Sequence, residues 1–239
     1  MMTNMLRRSP ARFTATPVTV ETRNNWTVAL SYDNEGQGPY LVDLSHHPRW
    51  DIQDSQLDAI HPMDLGIPET IGSCSLKNGI LINRMNRTQA AVWHLTTETP
   101  QLPDAPCYTD VTDSTVFLAL FGPHAFSITE KLTSLDFLDP AKDTPFLLQG
   151  PFSHVPCQIV TLERGPDQSG GILLTCSRGY AHCMIHAITD AGSEFGLRPA
   201  GETRFMDWMS GQAQATGRWP VGVAGSHVCA REPAVKQVG

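Results

Sequence analysis

The chain has 239 residues, of which 41% are hydrophobic and 17% are charged, and its formal net charge is −7. A chain of this length and composition can bury a substantial core, which excludes a disordered polypeptide. The negative charge excludes a nucleic-acid or anionic-membrane ligand held by a broad basic surface, because such binding depends on clustered Lys and Arg. No apolar run reaches the length of a membrane span, so we expect a cytoplasmic protein without membrane insertion.

The first half of the chain predicts an arm followed by a unit built mainly of strands. Residues 1–16 are predicted to form a flexible arm, because their basic run is short and terminal. Residues 17–104 are predicted to form a first α+β unit, in which Trp26, Val28 and Leu30 share one face of a strand. A short helix is predicted within "SQLDAIHPMDLGIP", and the Pro-rich segment "TTETPQLPDAPC" marks the end of the unit.

The second half predicts another α+β unit over residues 105–205. A buried strand at Thr115–Leu120 is followed by a helix with an apolar face in "GPHAFSITEKLTSLDF", and then by three strands. Ser177 is predicted to cap a second helix, "RGYAHCMIHAITDA", which Gly192 ends. Residues 206–239 are predicted to form a weakly patterned tail that either docks on a partner or folds back on the domain.

The two halves share one order of elements: an Asp-led turn, a strand, a helix and a strand hairpin. The predicted helix ends in "MDL" in the first half and in "LDF" in the second. This self-similarity predicts an α+β fold made of a tandem pseudo-repeat of sheet-plus-helix units.

The stretch "YLVDLSHHPRWDIQ" places Asp43, Ser45, His46 and His47 directly after a predicted strand. An aspartate that orients a histidine is a general-base arrangement, so Asp43 is a catalytic candidate. The same residues also suit a turn in which Asp43 and Ser45 accept hydrogen bonds from backbone N–H groups. The two histidines are adjacent, so on a strand they are predicted to point to opposite faces and not to share a metal ion.

Two further pairs of residues are candidates for a site. Asp110 and Asp113 flank a turn before a buried strand, where ionised carboxylates could polarise an amine or hold a cofactor, although turn capping explains them as well. His182 and His186 lie four residues apart on a predicted helix, which is a spacing used by zinc sites. Because no third ligand is identifiable beside that pair, the sequence predicts no metal site.

Several segments resemble a known family when they are taken in their order along the chain. They are "DVTDSTVFLALFGPHAFSITEKLTSLDFLDP", "QGPFSHVPCQIVTLER" and "GILLTCSRGYAHCMIHAITDAGSEFGL", preceded by the turn "VDLSHH". Over about residues 38–200 the chain is similar to the gamma subunit of heterotetrameric sarcosine oxidase. It is also similar to the wider superfamily of the glycine-cleavage T protein, the folate-binding aminomethyltransferases.

The resemblance implies tandem repeats around a channel that, in full-length members, holds tetrahydrofolate beside a catalytic aspartate. Asp43, Asp110 and Asp113 stand where the resemblance places such acids, and the nearest counterpart of the folate-binding segment contains Arg178 and Tyr180. The chain departs from the family in two ways. It has no Tyr-Thr-Gly-Glu run with its ligand glutamate, and it is expected to lack the C-terminal barrel, so tetrahydrofolate is a cofactor that the resemblance suggests rather than requires.

These observations lead to three hypotheses about function. In the first, the chain is a non-catalytic subunit of a multi-subunit oxidoreductase or one-carbon enzyme complex, and Trp208 and Trp219 suit docking on its partner subunits. In the second, it is an independent aminomethyltransferase-like enzyme acting on groups bound to tetrahydrofolate or a lipoyl carrier protein, in one-carbon or sulfur metabolism. The third is a small-ligand binding module. For the isolated chain the missing ligand residues favour an absence of catalysis.

Overall fold

The structure, a computed structural model, describes residues 6–101 and 105–216, with side chains as far as residue 211. Within these ranges it is a mixed α+β fold, as the sequence predicts. The strands are β1 (Pro17–Arg23), β2 (Trp26–Tyr32), β3 (Tyr40–Asp43), β4 (Arg49–Gln53), β5 (Cys74–Lys77), β6 (Ile80–Arg84), β7 (Gln89–His94), β8 (Tyr108–Asp110), β9 (Thr115–Gly122), β10 (Phe146–Phe152), β11 (Val155–Arg164), β12 (Gly170–Ser177) and β13 (Arg198–Ala200). The helices are α1 (Ala125–Glu130), α2 (Ala181–Gly192) and α3 (Glu202–Thr216).

Two sheets form the body of the described region. The first has six strands in the order β10-β11-β12-β9-β3-β13, and the second has five in the order β5-β6-β7-β4-β8. Strands β1 and β2 form a separate antiparallel ribbon. Strand β13 runs parallel to β3, while the other neighbours in the six-stranded sheet are antiparallel. Strand β3 thus belongs to the sheet formed mainly by the second half of the chain.

Strand β9 is the centre of the six-stranded sheet, and its sequence explains why. Its residues alternate between two apolar clusters, with Phe117 and Phe121 on one face and Leu118 and Leu120 on the other. A strand buried on both faces reads as a continuous apolar run, which is what "VFLALF" is. Each such side chain contributes roughly 1.5–3 kcal/mol when it leaves water, so β9 anchors the fold.

Three apolar clusters in the described region define its layers. The first joins the inner faces of the two sheets and α3, through residues such as Trp93, Phe117 and Phe205. The second covers the other face of the six-stranded sheet with α1 and α2, and includes Phe126. The third lies on the outer face of the five-stranded sheet around Trp50. The layers are therefore α1 and α2, then the six-stranded sheet, then the five-stranded sheet, then the loops that cover its outer face. Helix α3 packs on the cluster between the two sheets.

The helix predicted in the first half is replaced by two short 3-10 turns, at Leu57–Ala59 and Pro62–Asp64. Met63 and Asp64 have positive φ values of 52° and 61°. A left-handed backbone cannot continue a right-handed helix, so the chain turns at this point. Leu57 is nevertheless buried, so the apolar position that suggested a helix does face the core.

The helix predicted after β9 is shorter than its apolar pattern, because α1 ends at Glu130. The carbonyl of Leu132 accepts a hydrogen bond from the Ser153 N–H at 2.7 Å, and the hydroxyl of Thr133 donates to the carbonyl of Pro151 at 2.7 Å. These contacts with the β10–β11 hairpin replace helical hydrogen bonds. Leu132 and Leu135 still pack on the second cluster from the loop.

Helix α2 ends at Gly192, as predicted, but Ser177 does not cap its first turn. A 3-10 turn over Arg178–Tyr180 separates the end of β12 from the helix. Gly196, with a φ of 73°, then takes the left-handed conformation that glycine adopts without strain and turns the chain towards β13.

Helix α3 occupies the start of the segment that was predicted as a tail. Phe205 and Met209 are buried, and the Trp208 ring stacks on Phe121 with centroids 4.9 Å apart. Positions 205, 208 and 209 fall on one face of a helix, which is a periodicity that the sequence prediction overlooked. Trp219 lies outside the described residues. No described helix combines the length and the apolar character needed to cross a bilayer.

Candidate functional site

The turn after β3 carries the chain from one sheet to the other. Strand β3 lies in the six-stranded sheet and β4 lies in the five-stranded sheet, with residues 44–48 between them. The Leu44 N–H donates to the Phe117 carbonyl at 2.8 Å, and the Ser45 hydroxyl accepts from the Phe117 N–H at 3.1 Å. These bonds fix the turn on the central strand β9, so the side chains that it carries are held by the core.

Parallel pairing of β13 with β3 explains why Glu202 lies at this turn. Ala200 is the register partner of Val42, so the two strands end at the same edge of the sheet. Glu202, the first residue of α3, therefore stands beside the residues that follow β3. The Gly201 N–H donates to the carboxylate of Glu35 at 3.0 Å, which also fixes the start of the helix.

Four polar side chains meet at this point. The Oε1 atom of Glu202 lies 2.8 Å from Nη1 of Arg23, 2.8 Å from Nε2 of His46 and 2.9 Å from Nε2 of His47. The side chains of His47 and Glu202 are 1% and 2% exposed. Charged groups at this depth are stable only when they are paired, so we refer to these four residues as the Glu202 cluster.

The hydrogen bonds and burial of the Glu202 cluster set its protonation. Burial would raise the pKa of the Glu202 carboxyl, but its contacts with His46 and His47 together outweigh burial and lower the pKa, so the group is ionised. Burial, together with the charge of neighbouring His46, lowers the pKa of His47 to about 4, so this imidazole is neutral at neutral pH. The Nδ1–H of His47 donates to the carbonyl of His94 at 3.0 Å, because a carbonyl can only accept.

The expectation that His46 and His47 point to opposite faces is wrong. Their ring centroids are 4.4 Å apart, and both Nε2 atoms face the same carboxylate oxygen. The physical reason is that the alternation of side chains holds only in an extended strand, and these residues lie in a turn. The His47 N–H closes this turn by donating to the carbonyl of Leu44 at 2.9 Å.

Arg49, at the start of β4, is a fully buried cation that the sequence analysis did not single out. Its guanidinium donates to the carbonyl oxygens of His47 at 2.5 Å and Thr112 at 2.8 Å, and to the Thr115 hydroxyl at 3.0 Å. The arginine thus ties the turn after β3 to the turn before β9. Its position between a proline and a tryptophan on a strand was the available signal.

The three aspartates predicted as catalytic candidates all act on this arginine. Burial lowers the pKa of Arg49, and the negative charges of Asp43, Asp110 and Asp113 oppose that shift. A buried guanidinium without such compensation would be costly. The structure therefore brings the three aspartates to the surroundings of one internal cation.

Each of these carboxylates also has a local partner. Oδ1 of Asp43 accepts from the Ser45 N–H at 3.0 Å, and Oδ1 of Asp110 accepts from the Thr112 N–H at 2.8 Å, so both residues form Asx turns. Asp113 is exposed, and its Oδ2 lies 3.5 Å from Nη1 of Arg7. The first two contacts are those of turn-forming residues, and the third is a surface ion pair.

The two residues predicted to bind folate lie on the surface next to this region. Arg178 donates from Nη2 to the carbonyl of Arg8 at 2.7 Å and from Nη1 to the carbonyl of Asp113 at 3.3 Å. The Tyr180 side chain is 48% exposed on the turn before α2. Arg178 therefore holds the N-terminal segment against the turn that precedes β9.

Three cavities of the described region are lined by residues other than the predicted catalytic and folate-binding ones. The first, of about 140 Å³, contains the predicted metal candidates and is lined by Arg12, Phe13, Leu41, His182 and His186 among others. The second, of about 610 Å³, lies between residues 70–76 and 141–146. The third, of about 330 Å³, is lined by Gln149, Cys157 and Cys176 among others.

Metal-ligand chemistry is concentrated in the Glu202 cluster. Within the described residues, His46, His47 and Glu202 form the one group of three His, Cys, Asp or Glu side chains whose ligand atoms all lie within 4.8 Å of one another. His182 and His186 are exposed on α2 and are not joined there by a third such ligand. Glu202 was missed by sequence reasoning because only the pairing of β3 with β13 brings it to the histidines.

The fold resembles a solved structure. Over 65% of this chain and 84% of the other, it superimposes on a chain of heterotetrameric sarcosine oxidase from Corynebacterium sp. U-96, solved in complex with pyrrole 2-carboxylate, with a TM-score of 0.53 and 15% sequence identity. The chain has a sarcosine oxidase subunit-like fold. The resemblance predicted from the sequence is thus confirmed at the level of the fold. No protein-family model and no curated protein matches the sequence.

Proposed function

We propose that this chain is a non-catalytic subunit of a multi-subunit, cytoplasmic oxidoreductase whose other subunits handle a small N-methylated amine. The observation that carries the proposal is the fold, which covers 84% of a chain taken from a heterotetrameric oxidase. A fold match of this kind identifies a scaffold, so the role of this chain is argued from its own residues.

The contacts of the candidate acids support a role without catalysis. Asp43 and Asp110 are held in Asx turns, and Asp113 faces Arg7 on the surface. Their charges act on the buried Arg49. Their remaining contacts are with backbone N–H groups of the turns and with Arg7, which supports a structural role for these acids.

Tetrahydrofolate is the cofactor that the family resemblance implies, and the residues present do not fit it. Arg178 uses both terminal nitrogens on backbone carbonyls of the chain, which leaves the guanidinium committed to Arg8 and Asp113. Tyr180 lies on the surface and is followed by no acid that could bind a pterin ring. The proposal therefore contains no folate-dependent step and no lipoyl carrier.

The β1–β2 ribbon offers a surface for another subunit of the complex. Val18 and Val20 on β1 are 67% and 53% exposed, and β1 has a single strand partner among the described residues. A free strand edge with exposed apolar side chains is normally covered in the assembled protein. We therefore expect a partner subunit to contact β1.

Co-expression with the products of neighbouring genes tests the proposal. We expect the tagged chain to elute with partner chains in size-exclusion chromatography with light scattering. The assembled complex, and not the isolated chain, should consume oxygen when sarcosine is added. Replacing Val18 and Val20 together with Asp should weaken assembly, while the matched control Thr19→Asp, on the same strand, should not.

Two results would overturn the proposal. The chain could remain a monomer that co-elutes with none of the neighbouring products, or the isolated chain could catalyse a methyl or aminomethyl transfer. A rise in the Tm of the isolated chain with tetrahydrofolate would instead support the transferase hypothesis, because a ligand that binds the native state stabilises it.

A further inference from the structure

His46, His47 and Glu202 place three ligand atoms around one point inside the protein. We propose that these side chains form a binding site for a divalent transition-metal ion, with Zn²⁺ as the best-matched ion. Two imidazoles and one carboxylate are the ligand set of many open zinc sites, in which a water molecule completes the coordination. The inference goes beyond a subunit role, because it concerns a site within this chain alone.

The first argument is a buried ring nitrogen of His47 that makes no hydrogen bond. The Nδ1–H of His47 donates to the His94 carbonyl, so Nε2 is the ring nitrogen that remains for a ligand. This atom is fully buried and has no hydrogen-bond partner, although Oε1 of Glu202 is only 2.9 Å away. A cation between the two atoms would be attracted by both.

The second argument is the orientation of the ligands before any ion binds. A metal-binding histidine usually donates its other N–H to a backbone carbonyl or carboxylate, which fixes the ring and its tautomer. His47 makes this contact with His94. The turn that carries both histidines is in turn bonded to β9 through Leu44 and Ser45. The turn and the His47 ring are therefore held by the core before an ion binds.

The third argument is distance. Zinc lies about 2.0–2.2 Å from nitrogen and oxygen ligands, so two ligand atoms on one tetrahedral ion are roughly 3.3 Å apart. The Nε2 atoms of His46 and His47 lie 2.8 and 2.9 Å from Oε1 of Glu202. Each pair needs to separate by only a few tenths of an ångström. His46 would pass its Nε2 proton to solvent or to Nδ1, as metal binding to histidine requires.

Arg23 is the competitor for the ion. Its Nη1 donates to the same Oε1 atom at 2.8 Å, and its Nη2 lies 3.0 Å from the carboxylate of Glu21. The Arg23 side chain is 17% exposed, so it has room to leave Glu202 and keep Glu21. A guanidinium beside the ion lowers the affinity by charge repulsion. Replacing Arg23 with Gln should therefore strengthen metal binding.

Metal titration of the full chain tests the proposal. Protein stripped with EDTA is titrated with Zn²⁺ against a chromophoric chelator, and bound metal is counted by mass spectrometry after dialysis. We expect one ion per chain and a Tm that rises with zinc. Cobalt in place of zinc should give the visible bands of a low-coordinate site without a thiolate charge-transfer band, because no cysteine is among the ligands.

Matched variants assign the ion to the cluster. His46→Ala and Glu202→Gln should each weaken zinc binding by more than about 100-fold. This exceeds the effect of removing a residue that only hydrogen-bonds to a metal ligand. The double variant His182→Ala with His186→Ala removes the other histidine pair and should bind zinc like the wild type. His46→Ala is the primary variant, because its side chain is the least buried of the three ligands, with 7% exposed.

Several outcomes would overturn the proposal. The first is that the protein binds less than one zinc ion per chain. The second is that zinc binding is lost in the double variant His182→Ala with His186→Ala, and the third is a cobalt spectrum with thiolate bands. The fourth is a folded His46→Ala protein that binds zinc as tightly as the wild type. If circular dichroism shows that Glu202→Gln does not fold, the cobalt spectrum of the wild type and the zinc affinity of Arg23→Gln test the proposal in its place. Weaker zinc binding in Arg23→Gln than in the wild type would show that the arginine does not compete with the ion for Glu202, which contradicts the proposed site.

Discussion

His46 and Glu202 are 156 residues apart in the sequence, and Nε2 of His46 lies 2.8 Å from Oε1 of Glu202. This contact joins the turn between the two sheets to the first residue of α3. It forms because β3 and β13 are parallel neighbours that end at the same edge. The relationship links the fold of the chain to a place where charged side chains are buried together.

Glu202→Gln should lower the free energy of unfolding of the metal-free protein by about 3 kcal/mol. Removing the carboxylate of a buried ion pair takes the charge partner from the buried side of the Arg23 guanidinium, which keeps only the half-exposed Glu21, and takes a charged acceptor from His46. The change is measured by urea unfolding in the presence of EDTA. Glu194→Gln is the matched control, because Glu194 pairs with Lys131 on the surface and such pairs contribute less than about 1 kcal/mol. Equal effects of the two substitutions would contradict the prediction.

Arg49→Lys should destabilise the protein by about 2–4 kcal/mol, although it keeps the charge. Lysine cannot reproduce the planar fork that donates to the carbonyls of His47 and Thr112 and to the Thr115 hydroxyl, so buried acceptors lose their donors. Urea unfolding measures the loss. Arg87→Lys, at an exposed position, should change stability by less than about 0.5 kcal/mol. A neutral Arg49→Lys variant would show that this arginine does not hold the two turns together.

Asp51→Asn should stabilise the protein at neutral pH, and the gain should vanish in acid. Burial raises the pKa of Asp51 in the folded state, so the folded protein binds a proton more readily than the unfolded chain. Stability attributable to this group is therefore lost as the pH rises through the raised pKa. Asparagine removes the buried charge, so the two proteins should differ at pH 7 and converge below about pH 4, where free aspartate is protonated.

Unfolding curves recorded over this pH range check the prediction for Asp51. Asp190→Asn on the exposed side of α2 serves as the control and should show no comparable gain at neutral pH. A pH-independent difference between wild type and Asp51→Asn would mean that the effect comes from the shape of the side chain and not from its charge.

Gly171→Ala should destabilise the protein by about 1–3 kcal/mol, because its new methyl group would lie 2.4 Å from a ring carbon of Trp208. The indole stacks on Phe121, so it cannot move away without disturbing α3. A changed tryptophan emission should accompany the loss of stability. Gly179→Ala meets nothing within 4 Å and should be close to neutral. Full stability of Gly171→Ala would show that α3 is not held by this contact.

Much of the strand content was predictable from local pattern. The apolar run of β9 and the alternation at Trp26 and Val28 match the buried positions, because a strand buries its apolar side chains, while Leu30 is partly buried. Helix lengths were less predictable. Hydrogen bonds from the β10–β11 hairpin end α1 early, and such distant partners are invisible to a local periodicity.

The candidate site was predicted only in part. Asp43, His46 and His47 stood out as residue types, but their orientation was misjudged because a strand was assumed where the chain turns. Glu202 was not singled out, since nothing near it in the sequence signals that it is buried, and the signal for Arg49, its place on a strand between Pro48 and Trp50, was overlooked. Asp110 and Asp113 were recognised as candidate acids, but the effect of their charges on the buried Arg49 was not predicted.

By itself the sequence determined the α+β class and the central strand, because apolar periodicity is a local property of the chain. The resemblance to a sarcosine oxidase subunit was carried by several motifs in their order along the chain. Tertiary structure alone decided that β3 joins the six-stranded sheet, which the second half of the chain mainly forms, and that β13 pairs with β3 in parallel. That pairing sets which charges are buried together, since the energy of a buried charge depends on neighbours distant in sequence. The Glu202 cluster exists for this reason.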